Sequence, residues 1–549
     1  MRTQRSWHDL VTTRTSSVAA AFLMLTAVLG GSALPAFATD YALIEGDGST
    51  WSQVIVQQWI KDVYANGIQV VYSGGGSSVG RKNFASFQDD FAISEIPYQG
   101  KDEQGQADAS PNRAYAYLPI VAGGTAFTYH VEVGGQLMRD VRLSGETIAK
   151  IFTEQITNWN DPQIKADNNG RAFPNLRIAP VVRSDGSGTT AQFTTWLDNQ
   201  YPSLWRPYFG HTGLTSYYPP SKLSGSRMTA APGSDQVMNT ISSGAGNGTI
   251  GYVEYSYALN KDYPVVKVLN AAGYFVEPTD FNVAVALTKA QINQDASSQL
   301  YLTQILDGVY TNPDPRAYPL SSYSYLILPT GATDSRLTTA KRQSLVDLMF
   351  HGLCEGQQSA GPYGYSPLPL NLVQAGFAQL AKLKTADPNV DIQNRDATKC
   401  NNPTFVPGNL NANHLADIAP QPAACDKRGA GPCLPADAVS AGGGAGATGA
   451  GGAAGAKKAA TKPGAPAPGA VSTAATAVDP ETGLTTVVDQ SVGTDAGGGG
   501  AAGAVATEIA ARPAGAGMAF GLLSALELAA IVLVPGVLAE TTRRRRAGS

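Results

Sequence analysis

Between residues 41 and 386 short apolar runs of strand length alternate with longer segments whose apolar residues recur at helical spacing. Tyr41-Ala-Leu-Ile44, Ile68-Gln-Val-Val-Tyr72 and Leu176-Arg-Ile-Ala-Pro-Val-Val182 read as strands, and Ser52-Gln-Val-Ile-Val-Gln-Gln-Trp-Ile60 as an amphipathic helix. Strands handing over to helices in this way predict parallel α/β layers. At this length the layers divide into two lobes.

The two ends follow other patterns. Residues 1–38 combine Arg2, Arg5 and Arg14 with the apolar run Val18-Ala-Ala-Ala-Phe-Leu-Met-Leu-Thr-Ala-Val-Leu29 and the small-x-small Ala36-Phe-Ala38. This is a signal peptide, and the mature chain begins near Thr39. No cysteine lies in or just after it, so an N-terminal lipid has no attachment point. Retention instead falls to residues 518–539, which are apolar apart from Ser524 and Glu527 and are followed by Arg543 to Arg546. At about 1.5 Å per residue this stretch crosses the roughly 30 Å hydrocarbon core. A single transmembrane helix is expected over 517–540 with a cytoplasmic arginine-rich tail over 541–549, and the positive-inside bias puts everything before it outside the cell membrane. Glu527 is open to two readings, a contact with another membrane protein or a tolerated lone carboxyl.

Residues 435–516 are dominated by Gly, Ala, Pro and Thr, a composition that cannot bury enough apolar surface to offset its ordering entropy. They are expected to form a disordered tether holding a globular head clear of the membrane. The net charge of -4 and the hydrophobic content of 43% in 549 residues are therefore averages over unlike materials. Four cysteines, Cys354, Cys400, Cys425 and Cys433, fall late in the exported region and read as two disulfides; Cys354 with Cys400 and Cys425 with Cys433 is the simplest of three pairings. Scattered histidines and the lack of a Cys-x-x-Cys spacing argue against a metal site, and neither a cofactor nor a nucleic-acid partner is expected.

Three Gly/Ser/Thr-rich loops each stand where a strand hands over to a helix: Gly46-Asp-Gly-Ser-Thr-Trp51, Ser73-Gly-Gly-Gly-Ser-Ser-Val-Gly80 and Arg183-Ser-Asp-Gly-Ser-Gly-Thr-Thr190. Each offers unpaired backbone N–H groups, small hydroxyls and the positive end of a helix dipole. Any one of them could be an ordinary cap or turn. Three together, one with an arginine, point to an oxyanion site. Two enzyme motifs overlap the second loop. Gly76-Ser-Ser-Val-Gly80 fits the G-x-S-x-G nucleophile elbow, with His211, His351 and His414 downstream but in no recognisable context. Gly75 to Gly80 followed by Arg81 is a P-loop pattern lacking its Lys.

Together with Asp90-Phe-Ala-Ile-Ser-Glu95, Gly145 to Trp159, Gly248-Thr-Ile-Gly-Tyr-Val-Glu-Tyr255 and Tyr363-Gly-Tyr-Ser-Pro-Leu-Pro369, these loops resemble, in order and spacing, the phosphate-binding subunits of bacterial phosphate ABC importers. The resemblance implies a two-lobed periplasmic-binding-protein clamshell of type II that buries dehydrated phosphate between its lobes. It implies lobe 1 over 39–125 and 312–400, lobe 2 over 126–311, and a Cys-containing extension over 401–434. It implies phosphate contacts from Thr50 and the backbone at Trp51, from Ser77, and from Arg183, Ser187, Gly188 and Thr189, with Asp185 fixing the guanidinium. Glu95 stands where the family has Asp. A carboxylate there can accept the proton that phosphate carries and sulfate lacks, and so reject sulfate by repulsion. The function implied is capture of inorganic phosphate and delivery to an ABC permease with its ATPase. A tethered phosphate sensor without transport and an exported serine hydrolase are the alternatives.

Overall fold

A computed structural model of the chain describes residues 41–433 apart from 103–104, 394–396, 398–399 and 410, together with 475–478 and 485–488. The segments read as signal peptide, transmembrane helix and arginine-rich tail lie outside the described residues. So does the predicted tether, except for Ala475–Val478 and Thr485–Val488, which pair antiparallel. These β-branched runs carry strand propensity that the glycine-rich average of 435–516 conceals. Among the described residues no helix is long and apolar enough to cross a membrane, and no group of His, Cys, Asp and Glu could hold a metal ion.

The main sheet has eight strands: β1 (Ile44–Gly48), β2 (Val70–Ser73), β3 (Phe91–Ser94), β4 (Tyr115–Tyr129), β5 (Ala179–Arg183), β6 (Thr229–Ala231), β7 (Thr249–Glu254) and β8 (Ser321–Pro329). Their spatial order is β6-β5-β7-β4-β8-β3-β1-β2. β1 runs parallel to β2 and β3, and β5 parallel to β6 and β7. β4 and β8 run antiparallel to their neighbours. The expected parallel layers thus form the centre of each lobe, while the strands that join the lobes break the pattern. A strand that leaves one lobe and another that returns to it must run in opposite directions.

β4 is the crossing strand. Its Tyr115 to Gly124 stretch pairs with β8 of lobe 1, and its Thr125 to Tyr129 stretch pairs with β7 of lobe 2. The second crossing lies beside it, where Thr125 N–H donates to Leu320 O at 3.0 Å and Tyr318 Oη donates to Thr125 O at 2.7 Å. A Cβ on Gly123 would lie 2.6 Å from the Trp51 ring, and one on Gly124 would lie 2.5 Å from Pro278. Two glycines are therefore needed where side chains pack onto the crossing backbone.

Six helices cover the sheet near the site and around lobe 1: α1 (Gln53–Tyr64), α2 (Ser77–Ala85), α3 (Gly188–Gln200), α4 (Gly233–Ser242), α5 (Thr339–Leu353) and α6 (Leu370–Ala386). α1 shows the amphipathic pattern, burying Ile55, Val56, Trp59 and Val63. Trp59 lies against Gly352 of α5 and donates its indole N–H to Gly356 O at 3.0 Å. Each such side chain contributes roughly 1.5–3 kcal/mol through burial. Buried pairs link Arg81 of α2 to Asp108 and Arg113 to Asp334 at the periphery of lobe 1. Disulfides join Cys354 to Cys400 and Cys425 to Cys433, the simplest of the three pairings.

One titratable group sits at the lobe junction. Glu254, at the end of β7, is fully buried; its Oε2 accepts from Ser256 N–H at 2.6 Å. Glu254 Oε1 and the neighbouring Trp51 Nε1 have no hydrogen-bond partner among the described residues. Burial raises the Glu254 carboxyl well above its usual range. A group raised by folding adds stability while it is protonated, and that stability is lost as pH climbs through the raised value. Glu254→Gln is therefore expected to match the wild type in urea midpoint at acidic pH and to overtake it increasingly as pH rises. A constant difference across the titration would show that Glu254 is not the group responsible.

Candidate functional site

The first loop leaves β1 at Gly48 and enters α1 through Ser49, Thr50 and Trp51, all buried. Asp47 stitches this loop to the second: its Oδ1 accepts from Gly75 N–H at 2.8 Å and its Oδ2 from Asn83 Nδ2 at 3.1 Å. Burial raises the Asp47 carboxyl, opposed by these bonds. Gly76, with φ of 95°, turns the second loop so that α2 starts at Ser77. A side chain at 76 would be strained at this φ, and its Cβ would lie 2.7 Å from Asp185 of the third loop.

The third loop enters from lobe 2. Arg183 ends β5 with its side chain 1% exposed. Its Nε donates to Asp185 Oδ1 at 2.7 Å and its Nη2 to Asp185 Oδ2, so Asp185 takes the side edge of the guanidinium. The end-on edge remains, with Nη1 3.4 Å from Ser234 Oγ. Burial would raise the Asp185 carboxyl, but the bonds and charge of Arg183 and the Gly233 N–H outweigh it and hold it low. Ser187 caps α3: its Oγ accepts from Thr190 N–H at 3.1 Å, and its own N–H donates to Ser216 O. Only the Ser187 hydroxyl proton is left for a ligand. Gly188 and Thr189 are the first residues of α3, where backbone N–H groups lack intrahelical acceptors. Thr189 Oγ1 is buried with no partner among the described residues.

The lobes meet across these loops. A Cβ on Gly188 would collide with Glu95 Oε2 and Ser77 Oγ, so glycine alone allows α3 to approach the floor of lobe 1. Ser78 N–H donates to Gly186 O at 3.0 Å, Gln192 Nε2 to Glu95 O at 2.8 Å, and Tyr257 Oη to Thr50 O. Thr50 Oγ1 lies 3.0 Å from Ser234 Oγ and accepts from Ser234 N–H at 3.2 Å. The three predicted loops are thereby brought against one another, with Gly188 of the third directly over Glu95 and Ser77.

Glu95 is 1% exposed and carries three serine donors. Ser77 Oγ donates to its Oε2 at 2.8 Å, Ser324 Oγ to its Oε1 at 3.0 Å, and Ser49 Oγ also to Oε1. Burial raises its carboxyl above the usual value, and the three hydroxyls oppose that rise. The side chain thus joins the first two loops to Ser324 of β8.

Sequence reasoning missed several of these groups. Ser234 opens α4, a fourth helix start, after the short strand β6; Pro232-Gly-Ser234 is the same strand-to-helix signal as in the other loops. Ser324 and Tyr257 arrive by strand pairing and lobe apposition, which no local pattern encodes. The elbow motif is a helix start and not a nucleophile. Ser78 Oγ accepts from Arg81 Nη2 at 3.4 Å, while His130 is held by Ile241 and Glu132, His351 by Asp62, His211 lies against Phe209, and His414 opens the helix His414–Ile418.

The model of the PBP superfamily domain matches residues 33–340. The phosphate-binding protein PstS of Methanocaldococcus jannaschii is 30% identical over 352 residues, which span 62% of this chain and 86% of that protein. Phosphate-binding protein PstS 2 of Mycobacterium tuberculosis is 29% identical over 380 residues, spanning 64% of this chain and 93% of that protein. Among solved structures, a phosphate-binding protein from Stenotrophomonas maltophilia aligns with a TM-score of 0.44 at 17% identity, over 61% of this chain and 92% of that one. With the domain model matching more than half of its residues and a relative aligned over most of its own length, the chain belongs to the PBP superfamily and, within it, to the PstS-type phosphate-binding protein family.

Proposed function

We propose that the head captures inorganic phosphate between its lobes and delivers it to an ABC-type permease with an ATPase beneath, while the C-terminal apolar span anchors it to the outer face of the cell membrane. The observation that carries the reading is that four helix starts and the end-on edge of Arg183 come together across the two lobes. In this arrangement Thr50, the backbone N–H groups of Trp51 and Ser77, Gly188, Thr189 and the Ser187 hydroxyl supply donors to phosphate oxygens. Arg183 supplies a bidentate charged contact, held in plane by Asp185. Ser234 joins them from α4. Lobe closure excludes water, which strengthens each bond to the anion. Membrane anchoring is supported by the signal peptide without a lipidation cysteine and by the arginine-stopped apolar span.

Calorimetric titration of the full chain with phosphate and then sulfate tests this directly. Phosphate is expected to bind and sulfate not. Silence with phosphate, or equal affinity for the two anions, overturns the reading. Arg183→Ala is expected to weaken phosphate binding on the order of a hundredfold, because it removes two charge-assisted hydrogen bonds. Circular dichroism would establish that the variant stays folded.

Selectivity gives a second test. Ionised Glu95 accepts the phosphate proton and repels sulfate; protonated Glu95 does neither. Its carboxyl is raised by burial, so the preference for phosphate is expected to shrink as pH falls through the raised value. Glu95→Gln is expected to show a small preference at every pH. A wild-type preference that does not change with pH in competition titrations would remove Glu95 from this role.

A further inference from the structure

Residues 401–433 do not form a separate appendage. They begin on lobe 1, where the Cys354–Cys400 disulfide fixes their start to the end of α5. Asn402 Nδ2 and Thr404 Oγ1 then donate to Leu368 O at 2.9 Å and 2.7 Å. The middle crosses the junction. Helix His414–Ile418 packs against the helix Asp280–Leu287, which itself touches β4 and β8. Arg316, just before the second crossing, donates from Nη1 to both Ala416 O and Ala419 O at 3.0 Å.

The end is clamped to lobe 2. The loop closed by Cys425–Cys433 takes two bonds from Arg142, whose Nη1 donates to Cys425 O at 2.9 Å and Nη2 to Ala430 O at 2.8 Å. Lys267 Nζ pairs with Asp426 at 2.9 Å, Asn169 Nδ2 donates to Gly431 O at 2.9 Å, and Arg428 N–H donates to Gly273 O at 2.8 Å. Cavities of about 710 and 490 Å³ share Lys267 and Asp426 in their walls. The attachment to lobe 2 therefore rests on directional polar bonds and not on a packed apolar seam.

We propose that residues 401–433 are a strap that limits opening of the lobes. β4 and the segment at 318–321 lie side by side, and a hinge of two adjacent strands bends easily about their common line. A third covalent path, pinned on lobe 1, at the junction and on lobe 2, resists that bending. The strap favours closed arrangements before any anion arrives and slows release afterwards. The affinity gain follows from population: a head that spends more time near its closed form loses less affinity to the open one.

Restraint of opening stands apart from the anion; the effect on release rests on the phosphate reading above. The test uses the full chain with dyes at exposed Asn66 of lobe 1 and Ser224 of lobe 2, introduced as noncanonical residues so that the cysteines stay paired. One variant inserts a Gly/Ser segment between exposed Pro420 and Gln421, giving the strap slack while leaving its anchors intact. A second, Cys425→Ser with Cys433→Ser, loosens the lobe-2 anchor without an insertion, so that failure of either variant to fold leaves the other as the test. Without added anion, single-molecule energy transfer is expected to show longer and broader inter-lobe distances in both variants. Phosphate release is expected to speed up about tenfold, with association little changed. Distances and release rates equal to wild type in a folded variant overturn the strap. A lowered melting temperature with unchanged distances does so too, because it reduces the segment to a stabilising brace. Lengthened distances with no phosphate binding even in the wild type support the strap and refute the anion reading instead.

Discussion

Removing a carboxylate from water costs several kcal/mol unless donors surround it, and at Glu95 the donors come from three distant parts of the chain. Ser77 is 18 residues away, Ser49 is 46 and Ser324 is 229. The third donor exists only after β8 has returned from lobe 2 and paired with β3. The floor of the site is thus finished by the last strand of the sheet, which supplies the third donor. The same carboxylate limits what may face it from the other lobe: Gly188 is required because any side chain there would strike Glu95 and Ser77. One buried group sets both the completeness of lobe 1 and how closely lobe 2 can approach.

This dependence explains which features could be read from the sequence. The three loops were legible because glycine, serine and threonine at a strand-to-helix handover act locally, through turns and free N–H groups. α1 was legible because its apolar residues keep one face. Ser324 was not, since a serine in the buried run of β8 has no signature until its pairing register is known. Ser234 carried the same signal as the others but follows a strand of only three residues. The antiparallel running of β4 and β8 was hidden for a related reason: both are buried along nearly their whole length, and burial on both faces does not tell parallel from antiparallel pairing. The way the extension is held is hidden in the sequence because its apolar contacts are few and short, Leu415, Ala416 and Ala419, and its hold on lobe 2 is made of polar bonds, which leave no hydrophobic periodicity.

The charges at the site account for how an acidic chain can hold an anion. Arg183 contributes one positive charge and Asp185 cancels it at 2.7 Å; an ionised Glu95 adds a further negative charge. On the proposed reading attraction cannot come from net charge. It comes from the helix starts and hydroxyls, neutral dipoles fixed in place before the ligand arrives, which need no reorganisation and act strongly once closure has removed water. Fixed dipoles at hydrogen-bond range are screened far less by salt than a surface field is, since they act well inside the roughly 8–10 Å Debye length. They are also demanding in geometry, because hydrogen bonds keep their strength only within a narrow range of distance and weaken steeply when the donor angle falls below about 120°. A dipolar site therefore depends more on restraint of the two lobes than a cationic patch would, and a strap that holds them near closure has most to contribute in a protein whose anion site carries no net positive charge.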